Sequence, residues 1–162
     1  MKDHKMSEQI EILNKAKQRA AENKFSYEGA LSPQEAHALM QVNPETLLVD
    51  VRTVAELELV GHVLGALHIE WAFYPGMVAN PDFGKQLLEL VDKKSSVIFM
   101  CRTGGRSHNA AVVAAKLGYT AFNMLEGFEG EANAEQQRTM INGWKHAGLP
   151  WTHANRTHAK NN

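Results

Sequence analysis

The sequence is poor in several features that would direct it to particular classes of protein. It contains one cysteine in 162 residues, so no disulfide can form within the chain. Its formal net charge of −1 offers no strong field for nucleic acid or acidic lipid. No apolar run approaches the roughly 18 residues of a membrane span, and the charged N-terminal segment holds no signal-peptide core. These absences predict a cytoplasmic protein with a reduced thiol, and they argue against nucleic acid or a membrane as a partner.

The length and composition suit one globular domain with a substantial core. Apolar residues make up 44% of the chain and charged residues 22%, which is ordinary for such a fold. A weak apolar stripe over residues 8–22 predicts a helix within an N-terminal extension, residues 1–24, which docks on the domain or on a second copy. We predict the domain over residues 25–152 and a disordered tail over 153–162.

Strand and helix signals alternate through the predicted domain. Ser32 and Thr53 each begin a capping box with the glutamate three residues later, and further helices are predicted from 80–82, over 107–117 and over 134–146. Buried strands are predicted at three places, 46–52, 96–100 and 121–125, and a short strand is predicted at 66–71. The alternation predicts an α/β fold with a central, mostly parallel sheet and helices on both faces.

The single cysteine ends one of these predicted strands and opens the run CRTGGR, from Cys101 to Arg106. In a parallel sheet, ligands gather beyond the carboxyl ends of the strands, so Cys101 is expected at the edge where a site would lie. Gly104 and Gly105 permit a sharp turn into the next helix. The backbone N–H groups of residues 102–106 should therefore point at one place and bind an anion.

Two arginines, Arg102 and Arg106, add positive charge beside the thiol. We expect an ionised sulfur nucleophile held in a cradle for anions. The alternative is a small buried cysteine in a core strand, followed by an ordinary glycine turn. Such a cysteine needs neither the two arginines nor the two glycines, so the pattern favours a reactive thiol.

The run VIFMCRTGGRS, residues 97–107, resembles the active-site loop of the rhodanese family of sulfurtransferases. The resemblance extends over about residues 31–151. It includes Asp50, Arg52 and Glu56, the run GHVLGA at 61–66, and the closing segments GYTAFNMLEGFEGE and NGWKHAGLPW. Leu57, Leu64 and the run LEGFEG depart from the family pattern, and the spacing from Glu56 to Gly61 is one residue longer. These departures concern the acceptor pocket rather than the nucleophile.

The resemblance implies a rhodanese-like, single-domain sulfurtransferase. Its catalytic residue is Cys101, which takes a sulfane sulfur from thiosulfate, or from another small anionic persulfide donor, and passes it to cyanide or a thiol. A protein is a further candidate acceptor. The implied substrate-binding residues are those that follow the cysteine, namely Arg102, Thr103, Gly104, Gly105 and Arg106. Because Arg106 is expected to face the anion, Arg106→Ala should impair thiosulfate use far more than folding. Ser107 is expected to cap the helix.

Two other functions stay open. The chain is alternatively a sulfur-relay module that delivers a persulfide to one protein partner and reacts poorly with small donors. A phosphatase is a distant third candidate. Cysteine-dependent phosphatases place five residues between cysteine and arginine, whereas four separate Cys101 from Arg106.

Other conspicuous residues predict structural roles or none. Asp50 and Arg52 are interpreted as a structural ion pair. The aromatic segment from Trp71 to Tyr74 is assigned either to the wall of the acceptor pocket or to the core. No G-x-G-x-x-G, Walker A or histidine-ligand motif is present, so we predict no cofactor and no metal.

Overall fold

A five-stranded parallel sheet forms the centre of the structure, a computed structural model that describes residues 2–154. The elements in chain order are α1 (Lys2–Glu22), β1 (Gly29–Leu31), α2 (Pro33–Val42), β2 (Thr46–Asp50), α3 (Val54–Val60), β3 (Leu67–His68), β4 (Ala72–Phe73), β5 (Val78–Ala79), α4 (Phe83–Leu90), β6 (Ser96–Met100), α5 (Gly105–Lys116) and β7 (Thr120–Met124). The sheet has the strand order β1-β7-β6-β2-β3, and β4 pairs with β5 in a small antiparallel hairpin. The predicted α/β class is confirmed.

Both predicted capping boxes begin helices. In α2 the Ser32 hydroxyl accepts the Glu35 N–H, and the Glu35 carboxylate accepts the Ser32 N–H. Thr53 and Glu56 make the same reciprocal pair at the start of α3. Each box satisfies backbone donors that the first helical turn leaves without intrahelical partners.

Helices cover both faces of the sheet, as predicted. Along β6 the side chains alternate, so Val97 and Phe99 face one layer while Ile98 and Met100 face the other. The first layer contains buried residues of α4 and α5, and the second contains buried residues of α1 and α2. The strand β6 thus lies in the middle of the sheet and is buried on both faces, and the cysteine loop follows directly from its carboxyl end.

The N-terminal helix α1 packs on the domain itself. Ile12, Ala16 and Ala20 are buried, and a Cβ at Gly29 would lie only 2.8 Å from the Cβ of Ala16. Arg19 makes two hydrogen bonds to the Glu35 carboxylate, at 2.6 and 3.0 Å, and one to the backbone of β1. The helix is expected to dock either on its own domain or on a second copy of the chain, and in the structure it docks on its own domain.

The helix predicted over 134–146 is wrong. This segment forms turns, because Gln136, Thr139 and Gly143 adopt positive φ angles, of 64°, 74° and 104°, that a helix excludes. Its backbone instead bonds to residues 127–129, and Trp144 is fully buried. The sequence signals also missed three short strands, β1, β4 and β5, and overextended the strands at 46–52 and 66–71.

The described residues end at 154, so most of the tail predicted over 153–162 lies outside them. Between residues 2 and 154, no helix is both long and apolar enough to cross a bilayer.

Candidate active site

The cysteine stands directly beyond the carboxyl end of β6, as the sequence predicts. Cys101 is buried, and its sulfur accepts the backbone N–H of Gly104 at 3.1 Å. The Ser107 hydroxyl lies 3.3 Å from the same sulfur. The thiol therefore has two polar neighbours, both supplied by the six residues that follow it.

The turn after the cysteine depends on Gly104, which has a φ of 109° and is the N-cap of α5. A residue with a Cβ rarely adopts this conformation. Its carbonyl accepts the His108 N–H and the Asn123 side-chain N–H, each at 3.2 Å. The Gly104 N–H is thus fixed toward the sulfur at the positive end of the helix dipole.

The role expected for Ser107 as a helix cap is wrong. The helix begins at Gly105, two residues earlier than predicted, and its N-cap Gly104 has no side chain. Ser107 lies inside the first turn, is fully buried and contacts the cysteine sulfur. Its hydroxyl therefore belongs to the surroundings of the thiol.

A second loop braces the cysteine loop from behind. The Phe128 N–H donates to the Cys101 carbonyl at 2.9 Å, and the Glu129 and Gly130 N–H groups donate to the Arg102 carbonyl at 3.0 and 3.3 Å. Gly127 approaches the loop so closely that a Cβ there would lie 2.6 Å from the Thr103 nitrogen. The unusual run LEGFEG is therefore the support of the nucleophile.

The second arginine of the loop is held in an ion pair. Arg106 donates from both terminal nitrogens to the Glu56 carboxylate, at 2.7 and 2.9 Å. Both side chains are about one-fifth exposed. Glu56 also accepts the N–H and hydroxyl of Thr53, so one carboxylate joins the cap of α3 to the cysteine loop.

The electrostatics follow from this pairing. Burial alone would raise the pKa of Glu56, but the hydrogen bonds and charge of Arg106, together with Thr53, lower the pKa to about 2. Burial alone would likewise lower the pKa of Arg106, and Glu56 raises it above its ordinary value. Both groups are therefore charged at neutral pH and largely neutralise each other.

Arg102 differs from Arg106 in having no such partner. Its side chain is exposed and makes no ion pair or hydrogen bond within the part of the chain that the structure describes. It lines a pocket of about 490 Å³ beside the cysteine loop, together with Glu56, Arg106 and Glu129. Of the two arginines, Arg102 is the one whose guanidinium has no ion pair or hydrogen bond among the described residues.

The other residues singled out in the sequence lie either on the exposed surface beside the cysteine or in a buried ion pair. Thr103 is an exposed position of the loop, and Gly105 is the exposed first residue of α5. Asp50 and Arg52 form a buried ion pair with a shortest N–O distance of 2.7 Å, which agrees with their structural interpretation.

The aromatic segment divides between core and pocket. Trp71 packs edge-on against Phe83, whose side chain is buried in the core. Phe73 borders a different cavity, beside Asn80, and Tyr74 lines the pocket that contains Arg102 and Arg106. The core assignment therefore holds for Trp71, and Tyr74 stays a candidate for the wall of the acceptor pocket.

Two supports of the site were not found from the sequence. Asn123, on β7, holds the Gly104 carbonyl, and the Tyr27 hydroxyl lies 2.7 Å from His108 Nδ1. Burial raises the pKa of Tyr27 to about 12, so this hydroxyl keeps its proton at neutral pH. Buried polar residues within otherwise apolar strands are the signal that points to Asn123.

The fold and the site together define an α/β protein with a one-cysteine loop at the carboxyl edge of its parallel sheet. A family model described as the rhodanese-like domain matches residues 32–134. The chain therefore belongs to the rhodanese family, and the resemblance seen in the sequence is confirmed.

Individual relatives agree with this assignment. The crystal structure of Rv0390 from M. tuberculosis matches with a TM-score of 0.73 and 36% identity, over 79% of this chain and 99% of that one. The uncharacterized protein RP600 of Rickettsia prowazekii is 32% identical over 72% of this chain and 91% of its own. A thiosulfate:glutathione sulfurtransferase of Saccharomyces cerevisiae is 31% identical over 52% of this chain and 63% of its own.

Proposed function

We propose that this protein is a thiosulfate sulfurtransferase that carries sulfur as a persulfide on Cys101. The observation that supports this most is the 3.1 Å contact of the Gly104 N–H with the cysteine sulfur, at the start of α5. A backbone N–H at a helix N-terminus stabilises negative charge. Both the thiolate and the persulfide carry such a charge, so the same group serves both states.

In the first step, the Cys101 thiolate attacks the outer sulfur of thiosulfate. A sulfur–sulfur bond forms on Cys101, the bond within thiosulfate breaks, and its electron pair leaves with sulfite. The charges balance, since a thiolate and a dianion give a persulfide anion and a dianion. The Gly104 N–H and the dipole of α5 stabilise the sulfur anion on the enzyme.

In the second step, cyanide or an acceptor thiolate attacks the outer sulfur of the persulfide. The bond to Cys101 breaks, and its electron pair returns to the cysteine as a thiolate. The products are thiocyanate or an acceptor persulfide. No net oxidation occurs, and the cycle as proposed needs no cofactor and no metal.

Arg102 is the residue that we assign to the donor anion. Its guanidinium lines the pocket and pairs with no described side chain. Guanidinium groups bind oxyanions well because two parallel N–H groups can donate to two oxygens. Arg106 supports the pocket wall through Glu56. Thr103, Gly104 and Gly105 form the backbone turn beside the bound donor.

The relatives support the donor and acceptor classes of this proposal. The yeast relative is named for both thiosulfate and a thiol acceptor. We place the protein in the cytoplasm, because the reaction needs a reduced thiol and the chain has a single cysteine.

A second candidate is the sulfur relay, which passes the persulfide to a protein and reacts poorly with small molecules. It is favoured by the exposed apolar side chains Leu59, Tyr74 and Met77 at the pocket. Rapid turnover of thiosulfate with cyanide favours the enzyme. Sulfur loading without turnover favours the relay.

Intact mass spectrometry tests the proposal directly. After brief treatment with thiosulfate the protein should gain one sulfur atom, which cyanide should remove as thiocyanate. Because no second cysteine is present, the intermediate cannot collapse into an internal disulfide. The Cys101→Ser variant should gain nothing, since an unassisted hydroxyl is too weak a nucleophile.

Alkylation with iodoacetamide provides the control. If Cys101 is alkylated readily but gains sulfur from no donor, the sulfurtransferase proposal is wrong. Hydrolysis of an aryl phosphate that depends on Cys101 would then indicate the phosphatase.

A further inference from the structure

The pocket beside the cysteine loop, which both arginines of CRTGGR line, also has exposed apolar side chains that sulfur transfer to cyanide does not use. Leu59 from α3, and Tyr74 and Met77 from the β4–β5 hairpin, line the pocket that also contains Arg102. Their exposed fractions are 80%, 67% and 46%. Apolar groups of this size that stay in water next to the arginines of the cysteine loop indicate a surface that a ligand covers.

The small reactants leave most of this pocket empty. Its volume is about 490 Å³. Thiosulfate has five non-hydrogen atoms, and at the roughly 30 Å³ that a water molecule takes in the liquid it fills about 150 Å³ at most. Cyanide fills still less. A larger molecule is therefore needed to cover Leu59, Tyr74 and Met77.

The charges of the pocket do not select a strongly charged acceptor. Glu56 and Arg106 neutralise each other at 2.7 Å. Arg102 and Glu129, which also line the pocket, carry opposite charges. The pocket thus combines balanced charge with an apolar side, which suits an uncharged peptide backbone with apolar side chains.

We infer that the sulfur acceptor is a cysteine in a peptide or protein segment, flanked by apolar residues. The inference rests on the proposed persulfide chemistry of Cys101 and names its acceptor. The flanking side chains pack on Leu59, Tyr74 and Met77, and this contact brings the acceptor thiol to the cysteine loop. Tyr74 provides the largest contact, since an exposed tyrosine offers much area at a low cost in conformational entropy.

The transfer is an exchange between two sulfur atoms. The acceptor thiolate attacks the outer sulfur of the Cys101 persulfide anion, and a new sulfur–sulfur bond forms on the acceptor. The bond to Cys101 breaks, and its electron pair stays on the cysteine as a thiolate. One acceptor persulfide anion is released, with no change in net charge and no oxidant.

Two blocked tripeptides that differ only in the flanking residues test this inference on the wild-type protein. Cys101 is loaded with thiosulfate, the excess is removed, and loss of the added sulfur is followed by mass spectrometry. The probes are N-acetylated, C-amidated Gly-Cys-Gly and Leu-Cys-Leu. We expect Leu-Cys-Leu to discharge the persulfide at least about fivefold faster, because it buries apolar surface in the transition state.

Variants locate the effect on the pocket. Leu59→Ser, Tyr74→Ser and Met77→Ser should each reduce the preference for Leu-Cys-Leu, and the triple variant should remove it. Each rate is normalised to discharge by cyanide on the same variant. Leu64→Ser is the matched control, since Leu64 is 73% exposed but lies outside this pocket, and it should keep the full preference.

The outcomes separate this inference from the function on which it rests. If Cys101 gains no sulfur from any donor, the proposed function is wrong and the acceptor inference falls with it. If Cys101 is loaded but both peptides discharge it equally, the inference alone is wrong and a small thiol is the acceptor. A preference that survives in the triple variant also contradicts it.

Discussion

The ion pair between Arg106 and Glu56 predicts a loss of stability that depends on pH. In Arg106→Ala the Glu56 carboxylate, which is about four-fifths buried in the native protein, loses two charge-assisted hydrogen bonds. The pKa of Glu56 falls from 4.5 to about 2 in the folded protein. At about 1.4 kcal/mol for each pKa unit, this corresponds to roughly 3 kcal/mol. It is the balance between burial, which raises the pKa, and the hydrogen bonds and charge of Arg106 with the hydrogen bonds of Thr53, which lower it.

We therefore expect Arg106→Ala to lower the free energy of unfolding at pH 7 by about 2 kcal/mol. For a chain of this length, that is a fall of about 4–8 °C in Tm. The folded pKa of Glu56 lies below its unfolded value, so the pair stabilises the protein fully above pH 5. Its contribution disappears as the pH falls toward 2, and the gap between wild type and variant should close over that range.

Urea denaturation followed by circular dichroism, repeated from pH 7 to pH 3, measures this gap. Lys15→Ala is the control, because Lys15 pairs with Glu11 on the exposed face of α1, and it should change stability by less than about 0.5 kcal/mol. The variant Glu56→Gln/Arg106→Ala should regain part of the loss, since no unpaired carboxylate remains. An Arg106→Ala variant as stable as Lys15→Ala, or a gap independent of pH, would refute this reasoning.

Three further predictions concern the loop and its surroundings. Arg102→Ala should lower kcat/KM for thiosulfate about tenfold or more with little change in Tm, measured as thiocyanate formation; an unchanged kcat/KM would contradict the assignment of the donor anion to Arg102. Gly127→Ala should destabilise the protein by at least about 3 kcal/mol in thermal unfolding and slow sulfur loading of Cys101, because its Cβ would contact the loop backbone. Gly148→Ala is the control: Gly148 has a φ of 74°, close to the 70° of Gly127, but open space around it, so the loss should be only about 1 kcal/mol. Deletion of residues 1–24 should lower Tm by about 10 °C, because the buried contacts of α1 are lost. Cys101 should still gain sulfur in this variant. A folded but inactive deletion variant would show that the helix helps to form the site.

The features predicted correctly from the sequence are those encoded over a few residues. The capping boxes at Ser32 and Thr53 each involve two residues three positions apart, so their spacing is visible in the chain. The position of Cys101 followed from a buried strand and two glycines that adjoin it. The fold class followed from the order of such local signals.

The features that were missed depend on contacts between distant segments. Glu56 and Arg106 are 50 positions apart, so the spacing of residues did not reveal that the Arg106 guanidinium is paired with a carboxylate. The expectation that Arg106→Ala would spare folding changes for this reason. Asn123 is coupled to the site by a hydrogen bond to Gly104 from another strand.

The segment 134–146 shows the same limit in another form. Its composition permits a helix, but its backbone bonds to residues 127–129, which support the cysteine loop. Tertiary hydrogen bonds and positive φ angles thus override local helical preference here. The spacing of residues within 134–146 does not indicate these hydrogen bonds to residues 127–129.

The backbone of Arg102 is held by hydrogen bonds, but its side chain is not. Its carbonyl is fixed by the Glu129 and Gly130 N–H groups, whereas its side chain is exposed and without a partner among the described residues. Mutation can therefore exchange the side chain while the backbone around the sulfur keeps its shape. If Arg102 binds the donor anion as proposed, one codon change at position 102 can alter the choice of sulfur donor without rebuilding the cysteine loop. Among homologues, we expect variation in donor to follow this position more closely than the rest of CRTGGR.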